Sequence, residues 1–175
     1  MKFNVPAVLI PAMLMASSAY AVEGETSLVK FNGNITEATC ELSSGSRGQN
    51  VDMGNVATTA FISGPGSVTA PKNFSIDLEN CGATAGTASV TFVGDVLPDG
   101  ESQTLKTSEF STTGVGVQIL QNGTPLKLNG SEPSVAQTLN EGDNSLLFSA
   151  RYISTLTTAQ AGEANAAANF TLNYE

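Results

Sequence analysis

Apolar and polar residues alternate with a period of two along much of the chain. Phe74-Ser75-Ile76-Asp77-Leu78 and Val115-Gly116-Val117-Gln118-Ile119 do so plainly. The same spacing links Leu146, Phe148, Ala150 and Tyr152, and again Phe170, Leu172 and Tyr174. Residues two apart on an extended chain share a face, so each run predicts a strand with one side available to a second sheet. Gly64-Pro65-Gly66 and Pro98-Asp99-Gly100 separate the runs, because proline cannot donate to a central ladder. Asn122-Gly123 predicts a two-residue hairpin turn, since both residues tolerate positive φ. No helical period of useful length occurs. Ala159 to Ala168 is rich in alanine, but Gly162 interrupts it and one turn of helix is the most it allows. Strands spaced by such turns predict a single all-β sandwich domain.

The first residues follow a different pattern. Lys2 precedes a short apolar run, Val5 to Ala16, and then Ala19-Tyr20-Ala21. This is the form of a secretory signal with an A-x-A cleavage site, which assigns residues 1–21 to a removed segment. The run is shorter than the ~20 residues that cross a bilayer, and Pro6 and Pro11 would each break a buried helix. Removing Lys2 shifts the formal net charge from −9 to −10. An acidic surface repels phosphate backbones and anionic lipids, so neither nucleic acid nor a membrane surface is an expected partner. Export also decides the chemistry of the two cysteines, Cys40 and Cys81. In an oxidising compartment they are expected to form one structural disulfide.

The two ends carry the functional signal. Val29-Lys30-Phe31-Asn32-Gly33-Asn34-Ile35 places Val29, Phe31, Gly33 and Ile35 on one face and Lys30, Asn32 and Asn34 on the other. Alternation alone fits two roles, an ordinary first strand with a bulge at Gly33 or a strand presented elsewhere. The other end, Ala168 to Glu175, closes in mid-strand on Phe170, Leu172 and Tyr174. No later residues supply a strand to cover it, so the expectation is that the cover comes from outside.

With these features the chain resembles the major subunits of chaperone–usher fimbriae, particularly type 1-like pilins. The resemblance rests on V-x-F-x-G-x-[IV] at Val29 to Ile35 shortly before Cys40, and on Asn80-Cys81 as the partner cysteine. It rests further on the segments Val115–Leu120 and Phe148–Tyr152, on the penultimate Tyr174, and on Gly162 as the fourteenth residue from the end. It implies an incomplete immunoglobulin-like β-sandwich that lacks its last strand, with one disulfide. Residues 22–36 would be a donor-strand extension and 37–175 the sandwich domain.

In such a fold Val29, Phe31 and Ile35 would fill the groove of a neighbouring subunit, with Gly33 where the groove is shallow. Phe170, Leu172 and Tyr174 would line the acceptor groove, with Gly162 also assigned to it, and the Glu175 carboxylate would be gripped by a chaperone. The implied partners are identical or related pilin subunits, a periplasmic chaperone and an outer-membrane usher. The destination is a fimbria on the cell surface, reached through the periplasm. A minor tip adaptor or an adhesin-type binding subunit of the same organelle is the alternative, and a self-contained secreted sandwich is another.

Enzymatic chemistry finds little to work with. The chain has no histidine, which excludes a Ser-His-Asp triad and an HExxH zinc site. Ser27-Leu28-Val29-Lys30 matches S-x-x-K but falls on a predicted strand without the accompanying elements. Asp95, Asp99 and Glu101 surround a Pro-Asp-Gly turn and lack the ligand spacing of a calcium loop. Neither a cofactor, a metal nor a small-molecule substrate is expected.

Overall fold

The computed structural model describes residues 27–32 and 40–175. The expected signal segment (1–21), and Gly33 and Ile35 of the expected donor strand, lie outside those residues. The backbone separates into two units, 1–34 and 35–175. Within the first, residues 27–32 belong to no strand and are exposed.

The second unit is a two-sheet sandwich. In chain order its strands are β1 (Glu41–Leu42), β2 (Lys72–Cys81), β3 (Thr87–Gly94), β4 (Leu105–Lys106) and β5 (Val115–Gln121). They continue as β6 (Thr124–Pro125), β7 (Gln137–Thr138), β8 (Gly142–Ser154) and β9 (Ala168–Tyr174). One sheet runs β1-β2-β8-β5-β4 with β6 added on β5, and the other runs β7-β3-β9. Every ladder is antiparallel. The α-helix among the described residues is a single turn, α1 (Phe110–Thr113).

The alternating runs become the facing surfaces. Ile76 and Leu78 of β2, and Leu146 and Phe148 of β8, point inward and meet Val90 and Phe92 of β3. Phe92 and Phe148 touch edge to face across the sandwich, ring centres 5.3 Å apart, an arrangement favoured by the ring quadrupoles. Asn122 (φ 51°) and Gly123 (φ 80°) form the expected turn between β5 and β6.

The cysteines need one irregularity. Strict alternation from Leu78 would carry Cys81 to the outer face. The register between β2 and β8 instead slips between Leu78 and Cys81, and Asn80 takes a positive φ of 55°. That extra residue is a bulge, and it returns Cys81 to the interior, where it is bonded to Cys40.

One expectation changes. The period-two pattern of β5 predicts one buried face, yet all seven residues are buried. Its outer side is covered by chain from far away in sequence: Leu97 and Thr104 lie against Gly116, and Arg151 Nε donates to Gln118 Oε1 at 3.0 Å. The alanine-rich segment forms no helical turn. It bends at Ala161 and Gly162, and Ala164 to Ala167 lead directly into β9 along an opening in the sandwich.

Candidate functional site

That opening is a groove of about 900 Å³ between the sheets. One rim is β9 with the segment just before it, and the opposite rim is the strandless stretch from Arg47 to Gly54. The floor is the core itself: Phe74 and Ile76 of β2, Phe92 of β3, Ile119 of β5, and Ala150 and Tyr152 of β8. A sandwich normally closes such an interior against water, because exposed apolar surface costs about 25 cal/mol per Å².

The rim strand shows what is missing. Thr87 and Glu175 exchange both backbone hydrogen bonds, at 2.8 and 3.0 Å, which fixes the phase of the β3–β9 ladder. Asn169, Thr171 and Asn173 follow that phase. The N–H and C=O groups of Ala168, Phe170, Leu172 and Tyr174 therefore point to the other edge. Among the described residues no strand pairs with that edge. The side chains of Phe170, Leu172 and Tyr174 pack on the core but are only half-buried, whereas Leu146, Phe148 and Ala150 of β8 are buried. One further strand laid along β9 would satisfy the backbone groups and cover the floor together.

Two tyrosines brace the groove. Tyr152 rises from the floor and its hydroxyl donates to the Ala164 carbonyl at 3.1 Å. Tyr174 donates to the Cys40 carbonyl at 3.2 Å, tying the end of β9 to the disulfide. Burial raises the pKa of both phenols, and the charge of Asp52 on the far rim adds to the effect at Tyr152. Both bonds need the neutral phenol.

The residues singled out from sequence fall into separate places. Phe170 lines the groove, while Leu172 and Tyr174 continue its face along β9. Glu175 pairs through its backbone with Thr87, and its residue is exposed. Gly162 is set apart from the groove lining. It lies against α1, where an added Cβ would come within 2.6 Å of Glu109 Oε2. Val29 and Phe31 are 68% and 92% exposed. Sequence reasoning did not single out the rim from Arg47 to Gly54 or the bracing role of Tyr152. The rim carries no alternation, and Tyr152 was legible only as one more inward residue of β8.

An all-β, one-disulfide sandwich with an open groove and a free edge along one strand is an incomplete immunoglobulin-like fold. The comparisons with known proteins agree in detail. The profile of the fimbrial protein family matches residues 29–175, and the chain belongs to that family. It is 35% identical to the type-1 fimbrial protein, A chain, of Escherichia coli K12 over the whole of both chains. The P pilus rod subunit PapA superposes with a TM-score of 0.68 at 28% identity, covering 79% of this chain and all of that one. A subunit in the structure of a chaperone–usher pilus gives 0.67 at 28% identity, covering 90% of this chain and all of that one. The chain is thus a structural fimbrial subunit of the cell surface. No helix among the described residues is long and apolar enough to cross a membrane.

Proposed function

We propose that this subunit polymerises head to tail by strand exchange, each copy laying its N-terminal segment in the groove of the next. The observation that carries the reading is the free edge of β9 above an uncovered core floor. Val29, Phe31 and Ile35 are the groove-filling side chains, with Gly33 between them where depth is least. Burying three large apolar groups contributes about 5–9 kcal/mol gross, before the entropy of ordering the strand. Each buried backbone group that gains a partner avoids a penalty of about 1–3 kcal/mol. A contact of this kind joins two different surfaces and does not close on itself, so it propagates as a filament.

Residues 1–21 act as the export signal, 22–36 as the donor extension and 37–175 as the accepting domain. Until a donor arrives the groove needs another occupant. A strand from a periplasmic chaperone, exchanged at an outer-membrane usher, is the partner that the family resemblance implies.

The test uses mature protein lacking residues 22–36, with and without a linker-joined copy of Ser27–Thr36 after Glu175. The extended protein should be monomeric and unfold cooperatively in urea, and the shorter one should be poorly soluble. Equal stability of the two would mean that no strand is missing.

A further inference from the structure

A second depression, of about 570 Å³, adjoins the groove and shares Met53 and Gly54 with it. Its apolar wall includes Val56 and Val68, 38% and 39% exposed, and Lys72 at the start of β2 stands exposed on its margin. At the opposite end of β2, beside the disulfide, Glu79 lies directly across the ladder from Glu41, and both are exposed. Like charges facing one another across a ladder repel. Asn80 Nδ2 donates to Glu41 at 3.1 Å, but the one ion pair among the described residues is elsewhere, between Lys127 and Glu132.

We propose that this depression seats the body of the donating copy, so that the receiving subunit's Lys72 meets the donor's Glu41–Glu79 pair. The inference rests on the strand-exchange reading and extends it from the donor strand to the two sandwiches. Direction follows from the sheets. All ladders here are antiparallel, and a strand added to β9 in the same sense runs opposite to it. Val29 then lies toward Tyr174 and Ile35 toward Ala168. Ile35 is five residues from Cys40, a span of at most about 18 Å. The donor's Cys40, with Glu41 next to it and Glu79 across the ladder, must therefore sit close to the Ala168 end of the receiving groove. Tyr152, through its bond to Ala164, marks that same end, and Ala150 beside it pairs with Lys72. The apolar depression lies where the donor's body arrives, and Lys72, one of several described cations outside the Lys127–Glu132 pair, meets the two carboxylates there.

Zero-length carbodiimide cross-linking of intact wild-type filaments, followed by peptide mass spectrometry, tests this directly. Lys72 and Glu79 are seven residues apart on one strand, roughly 23 Å, so a Lys72–Glu79 amide can form only between copies. That amide, or one to Glu41, is the expected product. In parallel, Lys72→Glu and Glu79→Lys should each speed subunit release from filaments in urea by roughly three- to tenfold. The doubly reversed chain should return to within about twofold of wild type. A fluorescent Ser27–Thr36 peptide should bind freshly refolded Lys72→Glu and wild-type chains equally. Filaments that give no intermolecular Lys72 amide, or single reversals that release at the wild-type rate, overturn the body contact while leaving strand exchange intact. Failure of the peptide to bind wild-type protein removes strand exchange and this inference with it.

Discussion

Phe31 is 92% exposed, and two accounts of the N-terminal segment predict opposite effects of truncating it. If the segment serves a neighbour, truncating Phe31 costs its own subunit nothing and costs the assembled contact heavily. An aromatic side chain buries about 150–250 Å², worth roughly 4–6 kcal/mol by area. Buried Phe→Ala substitutions measured in cores cost about 3–5 kcal/mol, cavity included, and the lower range is the safer expectation. The assay takes the full mature chain with an extra linker-joined copy of Ser27–Thr36 after Glu175. This protein carries two equivalents of Phe31. Alanine at the original position should leave the unfolding free energy from urea titration within about 0.5 kcal/mol of the parent, as for exposed sites generally. Alanine in the appended copy should lower stability by about 3 kcal/mol or more. In filaments the same change at Phe31 should speed subunit release by roughly a hundredfold or more, because such losses fall mainly on dissociation. Destabilisation of several kcal/mol from the original position, with none from the appended copy, would refute the reasoning. It would make the segment an ordinary first strand of its own sandwich.

Other expectations follow from single contacts. Reducing the Cys40–Cys81 bond, which spans 41 residues, should lower stability by about 4 kcal/mol in the chain-entropy account, measured by urea unfolding with and without reductant. Tyr174→Phe removes the hydrogen bond to the Cys40 carbonyl and should cost about 0.5–1.5 kcal/mol by the same measurement. Burial holds the Tyr152 and Tyr174 phenols above the ordinary value near 10. The unfolded chain releases those protons first, so their contribution to stability is complete below about pH 10 and is lost as pH rises through the folded values. A pH series of thermal unfolding should show this alkaline loss reduced in the Tyr152→Phe, Tyr174→Phe double variant. Gly123→Val forces a β-branched residue to a φ of 80° and should cost about 1–3 kcal/mol, read from the unfolding midpoint.

How much of this was legible in advance depends on the range of the interaction. Alternation at Phe74–Leu78 and Leu146–Tyr152 reports which side chains share a face; β8 buries its face and β2 buries Ile76 and Leu78, with Phe74 half-buried on the groove floor. Asn122-Gly123 encodes its turn within two residues, so the hairpin was equally readable. The outer cover of β5 was not, because Leu97, Thr104 and Arg151 reach it from other segments. Nor was the bulge that turns Cys81 inward, since it is a property of the β2–β8 register rather than of Asn80 alone. The rim from Arg47 to Gly54 forms no strand and leaves no period to detect.

Phe170, Leu172 and Tyr174 stand between these cases, and the disagreement there is informative. Their spacing is that of a fully buried strand face, as sharp as the one on β8. The fold leaves them half-buried, on a strand that pairs along one edge only among the described residues. The same spacing is fully buried at Leu146, Phe148, Ala150 and Tyr152 of β8, so the conflict is not a general looseness of the pattern. A half-buried apolar face of this kind fits the strand exchange proposed above, in which one antiparallel strand, apolar on its inward side, would cover it. Val29 and Phe31 meet that description in sequence while standing exposed in the subunit. On the strand exchange proposed above, acceptor and donor are each incomplete, and a second copy of the chain would supply what each lacks.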